Sequence, residues 1–508
     1  MSSTKQGTKP AAAPIDPKLR QLAFVVLSGA IMTILDTTIV VVAINTLGTE
    51  FHTSLSTIQW VLTAYMLALS MTIPITRWTV DRYGAKKMWI VSLVLFTIGS
   101  ILCGLAWSVA TLIIFRIVQG IGGGLIMPVG QTMLARAAGP ERMGRVMVVI
   151  AVPAMLAPVL GPALGGLIVG NLDWRWMFYI NVPICLFAVI FAAMALPADT
   201  ERKPSAKLDL LGLLLLSPGL AALVYGLSEA GRHNERLVLS GGLGLALIIA
   251  FALRSRAQER GEATPGKPGP LLETALFRLR SFSASTTALF LYVAAVSGIT
   301  IILPLYYQVV RGDSPLVAGA MIGPLGLGAV FTMPIAGKLT DKKDARGVAL
   351  TGLIIIMLGT AYYTTIQPDT NTWLLVAALF AVGLGHGLVF PSLQAAAYKE
   401  LSKPQVPSAT TLANIATRVA TSVGTAVLAV ILQIYIVDAF PGSSGSLAEF
   451  NRLNDPQQIG LLTNAFGNSL WWAFGVAALA VIPTLMVPRH RPEESAPSDR
   501  SPASTTAS

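Results

Sequence analysis

Residues 21–45 read QLAFVVLSGAIMTILDTTIVVVAIN, a long apolar run that contains one carboxylate, Asp36. About 20 mainly apolar residues are enough to cross the hydrocarbon core of a bilayer as a helix. A charged group at the centre of such a helix costs about 2.5 to 3.5 kcal/mol on insertion scales, so an ionisable residue there indicates a functional site. The run therefore predicts a membrane span, with Asp36 as its functional group.

The whole chain has the composition of a protein with many spans. Of its 508 residues, 54% are hydrophobic and 12% are charged, and the mean hydropathy is +0.67. A soluble core could not bury so much apolar surface. We count fourteen candidate spans and expect all of them to be helices, because backbone polar groups in lipid must be satisfied within the segment.

Two pairs of segments repeat along the chain at nearly one offset. Residues 74–87, PITRWTVDRYGAKK, align with residues 334–346, PIAGKLTDKKDAR. Residues 120–129, GIGGGLIMPV, align with residues 383–392, GLGHGLVFPS. The copies share one orientation, which is typical of a parallel repeat about an axis along the membrane normal. We therefore predict two pseudo-symmetric halves of six helices, with two extra helices between them.

This repeat fixes the predicted domain boundaries. Residues 1–21 form a cytoplasmic tail, 22–200 the first six-helix half, 201–281 the two extra helices with a cytoplasmic linker, 282–487 the second six-helix half, and 488–508 a disordered cytoplasmic tail. The end of the linker, residues 271–280, is predicted to be a short amphipathic helix on the membrane surface.

The basic residues predict the orientation, since short cytoplasmic loops are enriched in Lys and Arg. Most of the 36 Lys and Arg residues fall in loops on the side of the two termini, so both termini are predicted to be cytoplasmic. The net charge of +11 is explained by this topology, and no nucleic-acid-binding module accompanies it. The loops on the other side hold only Arg175, Arg232, Arg236, Arg311 and Arg452.

No feature of the sequence predicts a cofactor. Cys103 and Cys185 lie within apolar runs, so neither a disulfide framework nor a metal site is indicated. A phosphate-binding loop of the Walker type is missing, which argues against transport driven by ATP. A membrane-embedded enzyme is disfavoured because no nucleophile or metal motif accompanies the single deep acid.

Five motifs, in order along the chain, resemble those of the major facilitator superfamily. Within it they are similar to the fourteen-span drug/proton antiporters of the EmrB/QacA type. The resemblance covers nearly the whole chain and implies a multi-pass protein of the bacterial cytoplasmic membrane. The motifs are residues 35–45 (LDTTIVVVAIN), the inner loop 74–87, residues 112–124 (LIIFRIVQGIGGG), 157–166 (APVLGPALGG) and 174–183 (WRWMFYINVP).

The inner-loop motif implies a charge-relay latch that holds the outward-open state. Its candidate residues are Asp81, Arg82, Gly84 and Lys86, together with Asp341 in the second copy. A carboxylate of this kind is stabilised by a helix N-terminus or by an arginine. The first copy departs from the family pattern at Arg77, where a glycine is usual, and the second has Asp344 in place of Gly84. The alternative interpretation is a solvated turn that only follows the charge rule for inner loops.

The antiporter motif of the fifth span contains Gly161, Pro162, Gly165 and Gly166. Glycines on one helix face allow another helix to approach closely, and proline bends the span. We expect a tight, kinked contact between the halves, and the resemblance implies a seal against passive leak. Ordinary packing of small residues is the alternative.

Asp36 and Arg116 lie at similar depths in their spans, so the two side chains can meet across a cavity. A purely structural ion pair is the alternative interpretation. In the second half, Asn414 and Arg418 lie one turn apart on one helix face, and no span of that half contains an acid. His386 replaces a glycine of the repeat and is expected to be a packed, hydrogen-bonded histidine, with a proton relay as the alternative. The aromatic residues Trp60, Tyr65 and Tyr306 are candidates to line a drug cavity.

The sequence predicts a secondary exporter that moves hydrophobic or amphiphilic drugs outward in exchange for protons, with Asp36 as the proton-coupling carboxylate. The alternative cargo is a lipid or an endogenous amphiphilic metabolite, with Arg116 and Arg418 binding an anionic headgroup. An importer of nutrients is a further possibility on the same fold. The expected partners are a small amphiphilic substrate, protons and the lipid bilayer, with no nucleic acid, and the protein is expected to act as a monomer.

Overall fold

The computed structural model is entirely helical within the residues it describes, which are 17–139, 142–196, 199, 203–231, 234–261, 268–342, 344–443, 445, 447–450 and 455–489. Of the predicted terminal tails, residues 1–16 and 490–508 lie outside this part of the chain, whereas residues 17–21 belong to the first helix.

The described residues form fifteen helices of eight or more residues. They are α1 (Pro17–Val42), α2 (Trp60–Thr72), α3 (Thr76–Tyr83), α4 (Ala85–Gly104), α5 (Val109–Ala138), α6 (Met143–Asn171), α7 (Asn181–Ala195), α8 (Leu210–Ser228), α9 (Gly242–Arg260), α10 (Arg280–Val309), α11 (Gly323–Lys342), α12 (Ala345–Tyr363), α13 (Thr372–Tyr398), α14 (Val406–Ala439) and α15 (Pro456–Met486).

Shorter helical segments complete the described fold. The α-helical ones are Ile44–Glu50, Leu55–Ile58, Trp176–Tyr179, Asn234–Arg236 and Pro315–Ala320. A π-helical turn covers Leu237–Gly241, and 3₁₀ turns cover Ile73–Ile75, Thr274–Arg278, Lys403–Gln405 and Leu447–Phe450.

Twelve helices in the described part of the chain are long and apolar enough to cross a membrane. Fourteen spans were predicted. The stretch predicted as the second span is divided, because a 3₁₀ turn with Pro74 at its centre separates α2 from α3. The stretch predicted as the fifth is α6, a continuous helix of 29 residues.

Each half packs mainly within itself. In the first half, α1 packs against α5, α6 and α7, while α5 packs against α2 and α4. In the second half, α13 packs against α11 and α12, while α10 packs against α14 and α15. The glycines of the repeated run permit these contacts: a Cβ on Gly122 would approach the backbone of Phe96 in α4 to 2.5 Å.

The halves meet asymmetrically. We call the side of the molecule on which α3 is joined to α4 the inner side. Helix α6 of the first half lies along α11 of the second, and α5 contacts α14. The extra helix α8, which pairs with α9, packs against both α2 of the first half and α14 of the second. Its contacts include a hydrogen bond from Ser217 Oγ to Met71 O of 2.6 Å.

The end of the linker differs from the prediction. Residues 274–278 form a 3₁₀ turn, and Leu271, Leu272 and Leu276 are buried in an apolar cluster shared by the inner ends of both halves. The leucines that suggested a membrane-surface helix therefore face protein. Only the tertiary arrangement provides that apolar surface.

The mismatch between Gly84 and Asp344 in the repeat has a structural reason. Gly84 has a φ of +94°, and a Cβ there would overlap the carboxylate of Asp199. Asp199 accepts hydrogen bonds from the backbone N–H groups of Lys86 (2.9 Å) and Lys87 (3.1 Å) at the start of α4. In the second copy, Asp344 itself accepts from Arg346 N at 3.2 Å at the start of α12. The two halves thus cap equivalent helices with acids from different places.

Candidate functional site

Asp36 lies in the centre of the first half as one member of a buried ion pair. Arg116 Nη1 of α5 donates to Asp36 Oδ2 at 2.6 Å, and neither side chain is exposed. The pair joins α1 to α5, as their similar depths predicted. A buried charge pair of this kind needs further hydrogen bonds to offset desolvation.

Two amide side chains supply those hydrogen bonds. Gln119 Nε2 and Asn181 Nδ2 donate to Asp36 Oδ1 at 2.8 and 3.0 Å. The same two amide groups also donate to Ser100 Oγ, at 3.1 and 3.0 Å, and Arg116 Nη1 donates to Gln119 Oε1 at 2.8 Å. All these residues are buried. The carboxylate is therefore held by groups from α5 and α7, and Ser100 of α4 orients the two amides.

Tyr65 of α2 covers the arginine. The Arg116 guanidinium carbon lies 4.0 Å from the centre of the Tyr65 ring, and Arg116 Nε donates to Val61 O at 3.3 Å. A guanidinium over a desolvated aromatic face is stabilised by about 2 kcal/mol. Tyr65, predicted to line a drug cavity, instead seals the ion pair in this conformation.

A separate cavity of about 310 Å³ lies between the halves, and most of its lining belongs to the second half. No residue of the Asp36 cluster lines it. Its lining includes Gln131 of α5 and Asn414 of α14, which are joined by a hydrogen bond of 2.6 Å from Asn414 Nδ2 to Gln131 Oε1. The lining residues are Met127, Gln131, Ala151, Val293, Val296, Ser297, Thr300, Ile322, Leu325, Gly326, His386, Phe390, Gln394, Asn414, Thr417 and Thr421.

The other residues predicted for substrate contact occupy different places. Arg418 is partly buried one turn from Asn414, and its guanidinium makes no ion pair or hydrogen bond within the described part of the chain. Trp60 is 42% exposed and stacks on Tyr225 of the extra helix α8 with ring centres 5.8 Å apart. Tyr306 is buried in the core of the second half against Phe466. Neither Trp60 nor Tyr306 lines the cavity.

Asp341 joins the two halves on the inner side. Its Oδ1 accepts from Gly144 N at 2.8 Å and its Oδ2 from Arg145 Nε at 2.7 Å, both at the start of α6. Gly337, one turn earlier, lies so close to α6 that a Cβ would be 3.0 Å from Arg145 Cα. A carboxylate against a helix N-terminus and an arginine is the arrangement that the inner-loop motif predicted.

Asp81, the equivalent acid of the first half, has looser partners. Its carboxylate lies 3.9 Å from Arg77 Nε and 3.7 Å from Arg136 Nη2. Arg82 Nη1 donates to Ala206 O at 2.9 Å, and Lys86 Nζ donates to Leu196 O at 2.6 Å. The first copy of the motif therefore makes its contacts within the first half and with the segment that follows it, at Ala206.

The glycines of the antiporter motif face different neighbours. Gly161 is buried, and a Cβ there would overlap the Thr38 side chain of α1 in the same half. A Cβ on Gly166 would meet nothing within 4 Å. Gly165 is buried within α6, and the Pro162 side chain lies outside the described part. Close contact between the halves is made by the inner end of α6, at Gly144 and Ala151, because those residues face α11.

Sequence reasoning missed the amides that complete these sites. Gln119 and Asn181 lie within the quoted fourth- and sixth-span motifs, and Gln131 and Gln394 occupy equivalent places in the repeat. An amide in an apolar run is a usable signal, because a buried polar group needs a partner. The partner itself is set by helix packing.

Comparisons with known proteins place this geometry in a family. The family model described as Major Facilitator Superfamily matches residues 26–425. The chain is 37% identical over 424 residues to the multidrug resistance protein B homolog of Mycobacterium tuberculosis (strain ATCC 25618 / H37Rv), covering 82% of this chain and 77% of that one. It is 29% identical over 447 residues to multidrug resistance protein 3 of Bacillus subtilis (strain 168), covering 86% of each.

Solved structures give the same fold. The human organic anion transporter MFSD10 superimposes with a TM-score of 0.61 at 16% identity, over 91% of this chain and all of that one. The proton:xylose symporter XylE also gives 0.61, at 14% identity, over 93% of this chain and 96% of that one. Because the family model spans most of the sequence and the fold agrees, the chain is a multi-pass membrane protein that belongs to the Major Facilitator Superfamily.

Proposed function

We propose that the protein is a proton-coupled exporter of hydrophobic or amphiphilic drugs, with Asp36 as the proton-coupling carboxylate. The observation that carries the proposal is the fully buried Asp36–Arg116 pair, held by Gln119 and Asn181 in the first half. The names of the relatives, multidrug resistance proteins, support the cargo class. A proton driving force of about 2.3 kcal/mol per 100 mV corresponds to roughly fortyfold accumulation per charge.

We further propose fourteen spans, as in the EmrB/QacA type. Besides the twelve candidate helices, the broken stretch from α2 to α3 and the 29-residue helix α6 are long enough to cross the bilayer. With fourteen spans and the basic loops on the inner side, both termini are cytoplasmic and the inner side faces the cytoplasm. The cytoplasmic membrane of a bacterium is the expected location.

The coupling step requires the pair to open. When Asp36 is ionised, Arg116 and the amides satisfy it. Protonation removes the negative charge, so the attraction that holds Arg116 under Tyr65 weakens and the first half can rearrange. Arg116 Nη2 and Asn181 Oδ1 have no hydrogen-bond partner within the described residues, so both can bind water when the site opens. Since Asp36 is fully buried here, exchange of its proton belongs to another conformation of the transport cycle.

The test is proton-driven accumulation of a fluorescent amphiphilic dye in inverted vesicles with an acidic interior. Asp36→Asn is expected to abolish accumulation and substrate-induced proton release, while passive exchange of the dye persists. Asp209→Asn is the matched control, because Asp209 is also buried and paired with an arginine, Arg254, but lies in the extra helix pair. Unchanged proton-driven accumulation by a folded Asp36→Asn protein would contradict the mechanism.

The second candidate cargo is a lipid or an endogenous amphiphilic metabolite. Arg418 favours it, since its guanidinium has no ion-pair partner among the described residues and can bind an anionic group. Transport assays in liposomes that contain either an uncharged amphiphilic dye or an anionic lipid separate the two, because a lipid exporter moves the lipid and leaves the dye.

A further inference from the structure

The cavity between the halves contains one histidine, His386, whose surroundings are defined. His386 is 6% exposed, and its ring stacks on Phe390 with centres 6.0 Å apart. Its Nδ1 is hydrogen-bonded to the Tyr292 hydroxyl. Its Nε2 has no partner within the described part of the chain, although the residue lines the cavity.

The hydrogen bond to Tyr292 indicates which ring nitrogen carries the proton. If the hydroxyl donates to Nδ1, one group remains unsatisfied, the Nε2–H. If Nδ1–H donates to the hydroxyl oxygen, both the hydroxyl hydrogen and the Nε2 lone pair lack a partner, since Tyr292 has no other described hydrogen bond. Each unsatisfied buried polar group is costly, so the first arrangement is favoured. His386 therefore carries an unsatisfied, buried N–H donor in the wall of the cavity.

A second unsatisfied group lies in the same lining. Gln394 is 3% exposed, and its Oε1 has no hydrogen-bond partner among the described residues. The cavity wall thus contains an unsatisfied donor, on His386, and an unsatisfied acceptor, on Gln394, in addition to the polar lining residues Gln131, Ser297 and Asn414, and the surface of the lining is largely apolar. Its volume of about 310 Å³ suits a molecule at the small end of the range for ligand sites.

The charges near the cavity disfavour a cation. Among the described residues that line it there is no Asp, Glu, Lys or Arg. A permanent cation would lose its hydration there without a counter-charge. Arg418, on the same helix face as the lining residues Asn414 and Thr421, adds a positive charge to this region.

The repeat explains why this donor belongs to the second half alone. Gly123 occupies the equivalent place in the first half, and a Cβ there would lie 3.1 Å from the Tyr65 hydroxyl. The absent side chain leaves room for the Tyr65 ring over Arg116. In the second half the equivalent of Tyr65 is Leu325, and the imidazole occupies the cavity wall instead.

From these observations we infer that the cavity takes a neutral, mainly apolar molecule with a hydrogen-bond acceptor and a donor, that His386 Nε2–H binds the acceptor, and that permanent cations are discriminated against. This inference rests on the proposed function, because it treats the cavity as the site at which the transported molecule binds. It narrows the cargo from amphiphilic drugs in general to uncharged ones.

Three probes with one ring system test the inference: 2-naphthylmethanol, 2-methylnaphthalene and trimethyl(2-naphthylmethyl)ammonium. Binding to the purified full chain is measured by titration calorimetry in detergent, with empty micelles as the blank. The alcohol is expected to bind roughly tenfold more tightly than the hydrocarbon or the cation. Equal or tighter binding of the cation to the native protein would overturn the inference.

The role of His386 is tested with His386→Phe and His386→Gln. Phenylalanine keeps the ring and removes the N–H, so the preference for the alcohol over the hydrocarbon should disappear. Glutamine restores a donor and should recover part of that preference. His52→Phe is the matched control, because His52 is exposed and outside the cavity. If the folded His386→Phe protein still prefers the alcohol over the hydrocarbon to the same degree, the assignment is wrong. If this variant does not fold, the native protein provides the test, and equal binding of the alcohol and the hydrocarbon to it would contradict the assignment.

This binding experiment applies no proton gradient, so it is independent of coupling through Asp36. Selective binding without proton-driven transport would overturn the proposed function alone. Proton-driven transport with equal binding of all three probes would overturn this inference alone.

Discussion

At the scale of single residues, the buried carboxylate of Asp36 is stabilised by hydrogen bonds from neutral amides as well as by its ion pair with Arg116. Gln119 occupies a central place, because it donates to Asp36 and accepts from Arg116 in the same buried cluster. The network holds a charge in an apolar half by satisfying each carboxylate oxygen. Its members are therefore expected to contribute to both stability and transport.

We expect Gln119→Leu to lower the free energy of unfolding by about 1 to 3 kcal/mol, since it leaves a buried carboxylate oxygen short of a donor. The same substitution should also reduce proton-driven dye accumulation. Thermal unfolding in detergent and vesicle transport measure the two effects. Gln308→Leu is the control, because the hydrogen bond that its side chain makes among the described residues goes to Pro304 O within its own helix. Equal stability of both variants would contradict the prediction.

Two glycines of the antiporter motif provide a matched pair. Gly161→Ala places a methyl group against the stiff Thr38 side chain of α1, whereas Gly166→Ala places one where nothing lies within 4 Å. Overpacking of this kind costs about 1 to 3 kcal/mol. We expect Gly161→Ala to lower the unfolding temperature and Gly166→Ala to leave it nearly unchanged. The opposite order would show that the α1–α6 contact does not constrain this position.

At the scale of elements, the linker ties the two halves together on the inner side. Arg77 of α3 pairs with Glu273 and donates to Pro270 O at 3.0 Å. The backbone N–H of Glu273 donates to Ser408 Oγ of α14 at 3.2 Å. Arg77 stands where the family usually has a glycine, so in this chain the inner loop gains a contact with the linker.

We expect Glu273→Gln to loosen the linker, because Arg77 keeps a hydrogen bond there but loses its charge partner. The rate of proteolytic cleavage in the linker should rise several-fold, and exchanging the charges in Arg77→Glu with Glu273→Arg should restore part of the protection. Glu229→Gln serves as control, since its partner Arg236 is exposed and lies at the outer end of the extra helices. Cleavage at an unchanged rate would show that the pair does not hold the linker.

At the scale of the whole molecule, the two copies of the inner-loop motif have different tasks. Asp341 reaches across to the start of α6 in the other half, whereas the nearest basic groups to Asp81, on Arg77 and Arg136, belong to its own half. The division follows from the packing, in which α6 lies along α11 while α8 contacts both α2 and α14.

Asp341→Asn is therefore expected to open the inner side more than Asp81→Asn. Removing the charge weakens contacts of 2.7 and 2.8 Å between the halves in the first variant, and contacts of 3.7 and 3.9 Å within one half in the second. Spin labels at the inner ends of α6 and α11 measure the separation by pulsed electron resonance. A larger change in Asp81→Asn would contradict this assignment.

Sequence alone was sufficient for the membrane class, the helical fold, the repeat and the depth at which Asp36 and Arg116 meet. These follow from apolar run length, charge placement and residue spacing, which are local properties of the chain. The same local signals predicted a contact between the halves at Gly161 and a membrane-surface helix for the linker leucines. They could not determine which neighbour each of these residues would face.

Tertiary structure alone decided that Tyr65 seals the ion pair, that Trp60 stacks on an extra helix, and that the cavity is lined mainly by the second half. The physical reason is that every span is apolar on most of its surface. Hydrophobic pattern therefore does not distinguish the faces that meet lipid, another helix or a cavity, and only the packing of all the helices together does so.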